Sequence, residues 1–250
     1  TELKDSQLMK NTETFVIFGT DHVLTILFIL VISLLIPYLI KNKTRESLYT
    51  FTSLLATVMI VNEFGKAFYY PYLYPDRYEF FEMLPFHLCH LSSFAISIFL
   101  LTNQKTFFNL AFFWGIAGCS MALTQPDVPF KFPDANFLLY FFSHGLLLFA
   151  IMLSAITFRN RPNFEELKKT VLISIPVVAT IYLINVTINF FVDGSPANYW
   201  YLIKFPDGAN LTAFMPDPPA HLPIFFVLGL LAFGLIYLPF YIYDRFFTNN

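Results

Sequence analysis

Two histidines lie in apolar stretches of the sequence, where ionisable side chains are uncommon. His87 belongs to the run PFHLCH at 85–90, and His144 lies within a later apolar stretch. A neutral imidazole is the commonest general base near pH 7, and it can activate a hydroxyl or a thiol for acyl transfer. We therefore interpret His87 and His144 as a catalytic acid and base.

The thiol of Cys89 is a further candidate nucleophile, ranked below the two histidines. Residues two apart on a helix do not face each other, so Cys89 is expected to point almost opposite to His87. A zinc site is the alternative, with His87 and His90 on one helix face and His144 or His22 as another ligand. No HExxH motif is present, and we predict neither a bound metal nor a soluble cofactor.

Other polar residues, like these histidines, lie in the half of their predicted helices that is nearer the outer surface. Ionisable side chains in lipid are costly, so they mark a site or a paired structural contact. Glu63 and Lys66 are three apart, which favours an ion pair. Asn185 and Asn189 could instead bridge helices, and His22 could be interfacial. We expect one shared polar pocket, and its candidate substrate-binding residues are His22, Glu63, His90, Asn185, Asn189, Tyr199 and Lys204.

The composition indicates which solvent surrounds the chain. Of the 250 residues, 56% are hydrophobic and only 13% are charged, whereas a soluble domain carries about 25% charged residues. The solvent must therefore be mostly lipid. No long polar linker interrupts the sequence, so residues 1–250 are expected to form a single integral membrane domain. No basic block suggests nucleic-acid binding.

Seven segments are long and apolar enough to cross a bilayer, which requires about 20 residues for a core about 30 Å thick. The predicted fold is therefore all-α, a polytopic bundle of about seven transmembrane helices. The third and fourth helices should form the tightest pair, because only a short turn joins them, and Gly115 and Gly118 indicate close packing. The predicted spans are 18–40, 47–70, 83–101, 107–124, 137–158, 169–192 and 221–244.

The distribution of basic residues predicts the orientation of the bundle. Nine lie in one set of loops and five in the other, and the richer set should be cytoplasmic. This places the N-terminus outside and the C-terminus inside, with the polar candidates near the outer surface. The cytoplasmic set is Lys41, Lys43, Arg45, Lys105, Arg159, Arg161, Lys168, Lys169 and Arg245, and the outer set is Lys4, Lys10, Arg77, Lys131 and Lys204.

Several stretches that sample nearly the whole chain, in order, resemble the YwaF-like bacterial integral membrane proteins. That group is related to vertebrate transmembrane protein 164, an ether-phospholipid acyltransferase. The resembling stretches are FGTDH at 18–22, PFHLC at 85–89, FWGIAG at 113–118, ALTQPD at 122–127, FFSHG at 141–145 and NYWYLIKFP at 198–206.

The resemblance implies a multi-helix membrane fold, and we expect a multi-pass protein of the bacterial cytoplasmic membrane. For the vertebrate relative it implies acyl transfer between phospholipids through a cysteine, with paired histidines that correspond to His87 and His144. In that relative the cysteine directly precedes the first histidine, where this chain has Phe86. Here Cys89 lies about one helical turn deeper. His90 stands where the bacterial pattern usually has aspartate.

Three functional hypotheses follow. The leading hypothesis is a membrane-embedded acyltransferase or lipid hydrolase that takes phospholipid or lipoprotein acyl chains from the outer leaflet, with membrane lipids as its partners. The second is a transporter or receptor-like binding protein for a small or lipidic ligand, although the inner halves of the helices are almost purely apolar. The third is a zinc-dependent lipid amidase.

Overall fold

The computed structural model describes residues 13–194, 196–205 and 215–247, and within these ranges the chain forms seven α-helices and no β-strand. A π-helical turn, Leu153–Thr157, extends the fifth helix, and a 3-10 turn, Tyr199–Tyr201, lies in the loop after the sixth. Lys4 and Lys10 fall outside the described residues. The helices are α1 Thr20–Leu39, α2 Tyr49–Leu73, α3 Leu88–Thr102, α4 Lys105–Thr124, α5 Ala135–Met152, α6 Phe164–Phe191 and α7 Leu222–Phe247.

Five of these helices, α1, α4, α5 with its π turn, α6 and α7, are long and apolar enough to cross a membrane. The remaining two differ from them in composition or length. α2 has 25 residues and contains the buried Glu63 and Lys66. α3 has 15 residues, so it is roughly 22 Å long at 1.5 Å per residue. The protein is therefore a multi-pass helical bundle that sits in lipid, as the composition predicted.

The centre of the bundle consists of α3, α4 and α5. The pair α3–α4 makes the most extensive contact of any two helices, as predicted, and only Asn103 and Gln104 separate them. α2 packs on α3, and α1 packs on α5. α6 and α7 lie at the periphery, with most of their residues exposed to the surroundings.

The loops gather at two ends of the bundle. One end carries the segments 74–87, 125–134 and 196–205, and we call it the outer end, following the orientation that the basic residues predict. The opposite, inner end is tied together by polar contacts of its own. There Arg45 Nη2 donates to the carbonyls of Phe99, at 2.7 Å, and Leu100, at 2.9 Å.

Two helices begin five residues away from their predicted starts, whereas the other five begin within two residues of theirs. α3 begins at Leu88 instead of 83, because His87 has an extended backbone (φ −65°, ψ 157°) and Pro85 disfavours a helical residue before it. α6 begins at Phe164 instead of 169. The Asn163 side chain caps it by accepting the amide proton of Glu166 at 3.0 Å, so its polar first turn extends beyond the apolar stretch.

A glycine in α4 permits the close approach of α5, which generates a prediction about stability. A Cβ at Gly115 would lie 2.4 Å from Ile151 Cδ1 and 3.4 Å from Ser92 Cβ, whereas a Cβ at Gly229 in α7 meets nothing within 4 Å. We expect Gly115→Ala to destabilise the protein by about 1–3 kcal/mol through overpacking. Gly229→Ala, the control, should be neutral or stabilising. Thermal unfolding in detergent measures both, and equal midpoints would contradict the packing described here.

Candidate active site

The N-terminus of α3 presents the residues of the PFHLCH run to three different neighbours. His87 is the N-cap residue, and its ring lies 5.1 Å from that of Tyr199 and 5.5 Å from that of His90, measured between ring centroids. The amide of His87 donates to His90 Nδ1 at 3.3 Å. Cys89 is the second residue of the helix. Because Cys89 lies on a different face of the helix, its thiol points away from His87 and His90 and toward α4 and α5.

A buried polar network supports the start of α3 from α2. Lys66 Nζ lies 2.7 Å from Glu63 Oε2, so the ion pair that the three-residue spacing predicted is confirmed. His90 Nε2 lies 3.3 Å from the same carboxylate oxygen. Because Nδ1 of His90 accepts the His87 amide proton, we assign the ring proton to Nε2, which donates to Glu63. The network thus fixes both the ring of His90 and the backbone of His87.

The thiol of Cys89 meets the imidazole of His144. The Cys89 thiol lies within interaction range of the side chains of both His144 and Cys119, and Cys119 Sγ donates to the carbonyl of His144 at 3.6 Å. His144 Nδ1 lies 2.8 Å from the carbonyl oxygen of Tyr140. A carbonyl only accepts, so Nδ1 carries the ring proton and Nε2 keeps its lone pair. Nε2 is therefore the nitrogen of His144 that can take a proton from a thiol.

The candidate catalytic residues are less buried than the ion pair that supports the start of α3. His87, Cys89 and His144 are half-buried, whereas Glu63 and Lys66 are 2% and 6% exposed. Residues that are half-buried keep some contact with the surroundings of the bundle. The buried ion pair keeps almost none. The three candidate residues therefore lie on the less buried side of the site, with the charged network behind them.

Two predicted site residues, Asn185 and Asn189, hold the outer loop onto α6. The Asn185 amide donates to the carbonyl of Tyr199 at 3.0 Å and accepts its amide proton at 2.8 Å. Asn189 forms the same pair of bonds with Ala197, both at 2.8 Å. The two side chains thus bond a loop backbone, where the sequence suggested a bridge between helices or a substrate contact.

The loop held in this way lies over the start of α3. The Tyr199 side chain is fully buried, its hydroxyl donates to the carbonyl of Phe81, and burial raises the pKa of its phenol. Trp200 Nε1 donates to the carbonyl of Phe86 at 2.9 Å. The 3-10 turn therefore positions an aromatic ring against His87.

The remaining predicted site residues have other surroundings. His22 is 1% exposed, accepts the Phe18 amide proton at Nδ1 and donates from Nε2 to the carbonyl of Leu123 at 2.7 Å. Substrate binding by His22 stays a prediction that would require breaking those bonds. Lys204 is exposed, and its charge interacts with the carboxyl group of Glu82. Burial raises the pKa of the Glu82 carboxyl, and the Lys204 ammonium opposes that shift.

Cys119 and the carbonyl of Tyr140 are site groups that sequence reasoning missed. Cys119 is 1% exposed and lies behind the Cys89 thiol, and a cysteine in an apolar helix resembles ordinary packing. A backbone acceptor such as the Tyr140 carbonyl has no sequence signature at all. Close helix packing completes the site, because a Cβ at Gly118 would lie 2.8 Å from Cys89 Sγ.

No group of three or more His, Cys, Asp or Glu side chains in the described ranges is arranged to hold a metal ion. His87 and His90 face each other, but the second nitrogen of His90 is directed to Glu63. Two cavities were found at the inner end of the bundle, away from the site. One is an apolar groove between α6 and α7, and the other is a polar cavity beside Asn109.

Comparison with known proteins gives two matches. The profile of the TMEM164 family matches residues 17–237. An uncharacterised protein of Treponema pallidum (strain Nichols) is 28% identical over 123 residues, which is 49% of this chain and 48% of that protein. The match thus spans about half the length of that relative. No solved structure matches the chain.

Each of the two asparagines forms a pair of hydrogen bonds with the loop backbone, and these bonds should slow hydrogen exchange of the loop amides. We expect Asn185→Leu to accelerate exchange of the Tyr199 amide roughly five- to hundredfold, because a hydrogen bond to a buried group is worth about 1–3 kcal/mol. Asn189→Leu should act first on Ala197. Thr180→Val is the control, because the Thr180 hydroxyl bonds only within α6. Unchanged protection of both loop amides would disprove this anchoring.

The buried Glu63–Lys66 pair predicts a non-additive effect on stability. Glu63→Gln leaves the Lys66 ammonium buried without a counter-charge, and it should cost about 3–5 kcal/mol. The double variant Glu63→Gln, Lys66→Met removes both charges and should recover much of that loss. Unfolding of the single and double variants in detergent measures the coupling. If the loss of stability in the double variant equals the sum of the losses in the two single variants, the two side chains do not interact directly.

Proposed function

This chain belongs to the TMEM164 family, and we propose that it is a membrane-embedded acyltransferase with Cys89 as nucleophile and His144 as its base. The observation that carries this proposal is the close approach of the Cys89 thiol to the side chain of His144. A nucleophile within hydrogen-bond reach of a base, itself oriented by a third group, is the general arrangement for nucleophilic catalysis. Here the orienting group is the carbonyl of Tyr140.

The first half-reaction transfers an acyl group from a lipid ester to the enzyme. His144 Nε2 takes the proton of the Cys89 thiol, and the thiolate attacks the ester carbonyl. The tetrahedral oxyanion collapses, the ester C–O bond breaks, and the leaving alkoxide takes the proton from His144. The products are a lyso-lipid and a thioester on Cys89.

The second half-reaction consumes the thioester. The hydroxyl of an acceptor lipid gives its proton to His144 and attacks the thioester carbonyl. The C–S bond breaks, and Cys89 is released as a thiol once His144 returns the proton. Water in place of the acceptor gives hydrolysis, so the same groups support both activities of the leading hypothesis. In each half-reaction His144 accepts one proton and gives one proton back, so it ends in its starting state.

The start of α3 supplies stabilisation for the oxyanion. The first amide groups of a helix have no acceptor within the helix, and the positive end of the helix dipole lies there. Cys89 is the second residue of α3, so its own amide and that of Leu88 belong to this set. Amides directed at a developing oxyanion typically contribute a factor of about 10²–10³ in kcat each.

Glu63 and His90 are positioning residues in this proposal. They bond to each other and to the His87 amide, and that amide immediately precedes the turn that carries Cys89. His87 itself faces Tyr199 at the half-buried side of the site. We assign His87 to contact with the lipid ester or its headgroup. His144 alone then carries the acid–base role that the sequence suggested for both histidines.

The substrate class follows from the surroundings of the site. The thiol and both imidazoles lie at the outer end of a bundle whose solvent is lipid, so phospholipid acyl esters reach them from the side. Their half-buried state agrees with such access. The protein would then act on acyl chains of the outer leaflet, without a soluble cofactor.

Trapping the acyl-enzyme tests the proposal. Incubation with radiolabelled phospholipid should label the wild-type protein through a hydroxylamine-sensitive bond. Cys89→Ala should abolish the label, and His144→Asn should slow its formation about 10²–10⁴-fold, as expected for loss of a general base. Ser120→Ala serves as the control, because Ser120 is exposed and bonds only within α4. Full labelling of Cys89→Ala would refute the assignment.

A further inference from the structure

Two consecutive aromatic residues of the outer loop have a left-handed backbone. Trp200 has φ 58° and ψ 15°, and Tyr201 has φ 55°. This conformation is costly for a bulky L-residue, because its Cβ crowds the following carbonyl oxygen. Residues held in such strained conformations cluster at active sites and ligand contacts. The turn is therefore a candidate for a role in the chemistry as well as for covering the start of α3.

Hydrogen bonds on both sides hold the backbone of Tyr201 in this conformation. Its amide donates to the carbonyl of Asn198 at 3.1 Å, and its carbonyl accepts from His221 Nε2 at 3.0 Å. His221 directly precedes α7 and is fully buried. Two residues earlier, the backbone of Tyr199 is bonded to Asn185 of α6. Side chains at α6 and at the start of α7 thus fix the strained turn.

The side chain of Tyr201 lies beside the groups that surround the Cys89 thiol. Its ring centroid is 6.4 Å from that of His87. It also interacts electrostatically with Tyr140, whose ring lies 4.3 Å from that of His144. His87 and Tyr140 each interact electrostatically with the Cys89 thiol. The strained turn therefore places a phenol at the candidate active site.

Tyr201 differs from the other aromatic residues at the outer end in its exposure and its backbone. It is 39% exposed, whereas Tyr199 in the same turn is fully buried. Exposed tyrosines near a membrane surface commonly form an interfacial belt, but that role requires no strained backbone. Tyr72, for example, is 84% exposed and lies within the regular helix α2. Exposure and strain together favour contact between Tyr201 and a substrate.

The direction of α3 indicates which substrate atom Tyr201 would contact. The free amides at the start of a helix point outward along its axis, and in α3 these include the amides of Leu88 and Cys89. The loop that carries Tyr201 lies over this helix start. An oxyanion held by the amides would thus lie between α3 and the loop. Tyrosine hydroxyls are among the side-chain donors that stabilise such oxyanions.

We propose that Tyr201 is a further catalytic residue, whose hydroxyl donates a hydrogen bond to the ester carbonyl oxygen as that oxygen becomes an oxyanion. This inference rests on the proposed acyl transfer, which places the ester carbon at Cys89. The proton stays on the phenol, so the proton balance of both half-reactions is unchanged. The hydrogen bond is strongest in the transition state, so its loss should lower kcat and leave KM unchanged.

Rates of acyl-enzyme formation on the full chain in detergent test this role. With radiolabelled phospholipid at saturation, Tyr201→Phe should label about 10–100-fold more slowly than wild type, at an unchanged half-saturating lipid concentration. Phenylalanine keeps the ring and the backbone, so the unfolding midpoint and the rate of Cys89 alkylation by a maleimide should not change. Tyr72→Phe is the control, because Tyr72 is exposed on α2.

The possible failures are distinguishable. Labelling of Tyr201→Phe at the wild-type rate would overturn the inference and leave the acyl-transfer proposal intact. A raised half-saturating concentration at an unchanged maximal rate would overturn it too, because the hydroxyl would then act in binding only. A lower unfolding midpoint in Tyr201→Phe would assign the hydroxyl to structure instead. Absence of label on the wild-type protein would refute acyl transfer itself, and this inference with it.

Discussion

In lipid, a buried polar group must find its partner inside the protein, because the surrounding solvent offers none. The outer end of this bundle follows that constraint at Glu63 and His22. Glu63 is bonded to Lys66 and His90, and both ring nitrogens of His22 bond to backbone groups. These bonds fix the starts and ends of the helices. The thiol of Cys89 lies beside the imidazole of His144, whose Nε2 remains available as a base because its Nδ1 is bonded to the carbonyl of Tyr140.

This arrangement separates the chemistry from the scaffold that supports it. The charged groups lie in the interior, where they neutralise each other and orient the start of α3, and the reactive groups face the accessible side. The loop over them is held by side-chain amides of α6. The chain belongs to the TMEM164 family, and our proposal of acyl transfer on lipids rests on the contact between Cys89 and His144.

Hydropathy predicted the helices and their order well, because the requirement for about 20 apolar residues is strong. It misplaced the starts of α3 and α6, since His87 and Asn163 define these ends by backbone conformation and capping, which apolar runs do not record. Spacing predicted the Glu63–Lys66 pair because a helix fixes which residues share a face. It could not predict that Cys89 meets His144, since that contact depends on how three helices pack. The sequence therefore ranked Cys89 below the histidines, whereas we propose it as the nucleophile because its thiol lies beside His144.

The central claim is that the His144 imidazole activates the Cys89 thiol, and the alkylation rate of Cys89 tests it most directly. Purified protein is treated with a maleimide at pH 7, and modification of Cys89 and Cys119 is followed by mass spectrometry of their peptides. Because the thiolate is the reactive species, Cys89 should react faster than the buried Cys119, and His144→Asn should slow its reaction at least about tenfold. An unchanged rate for Cys89 in His144→Asn would contradict the proposed activation.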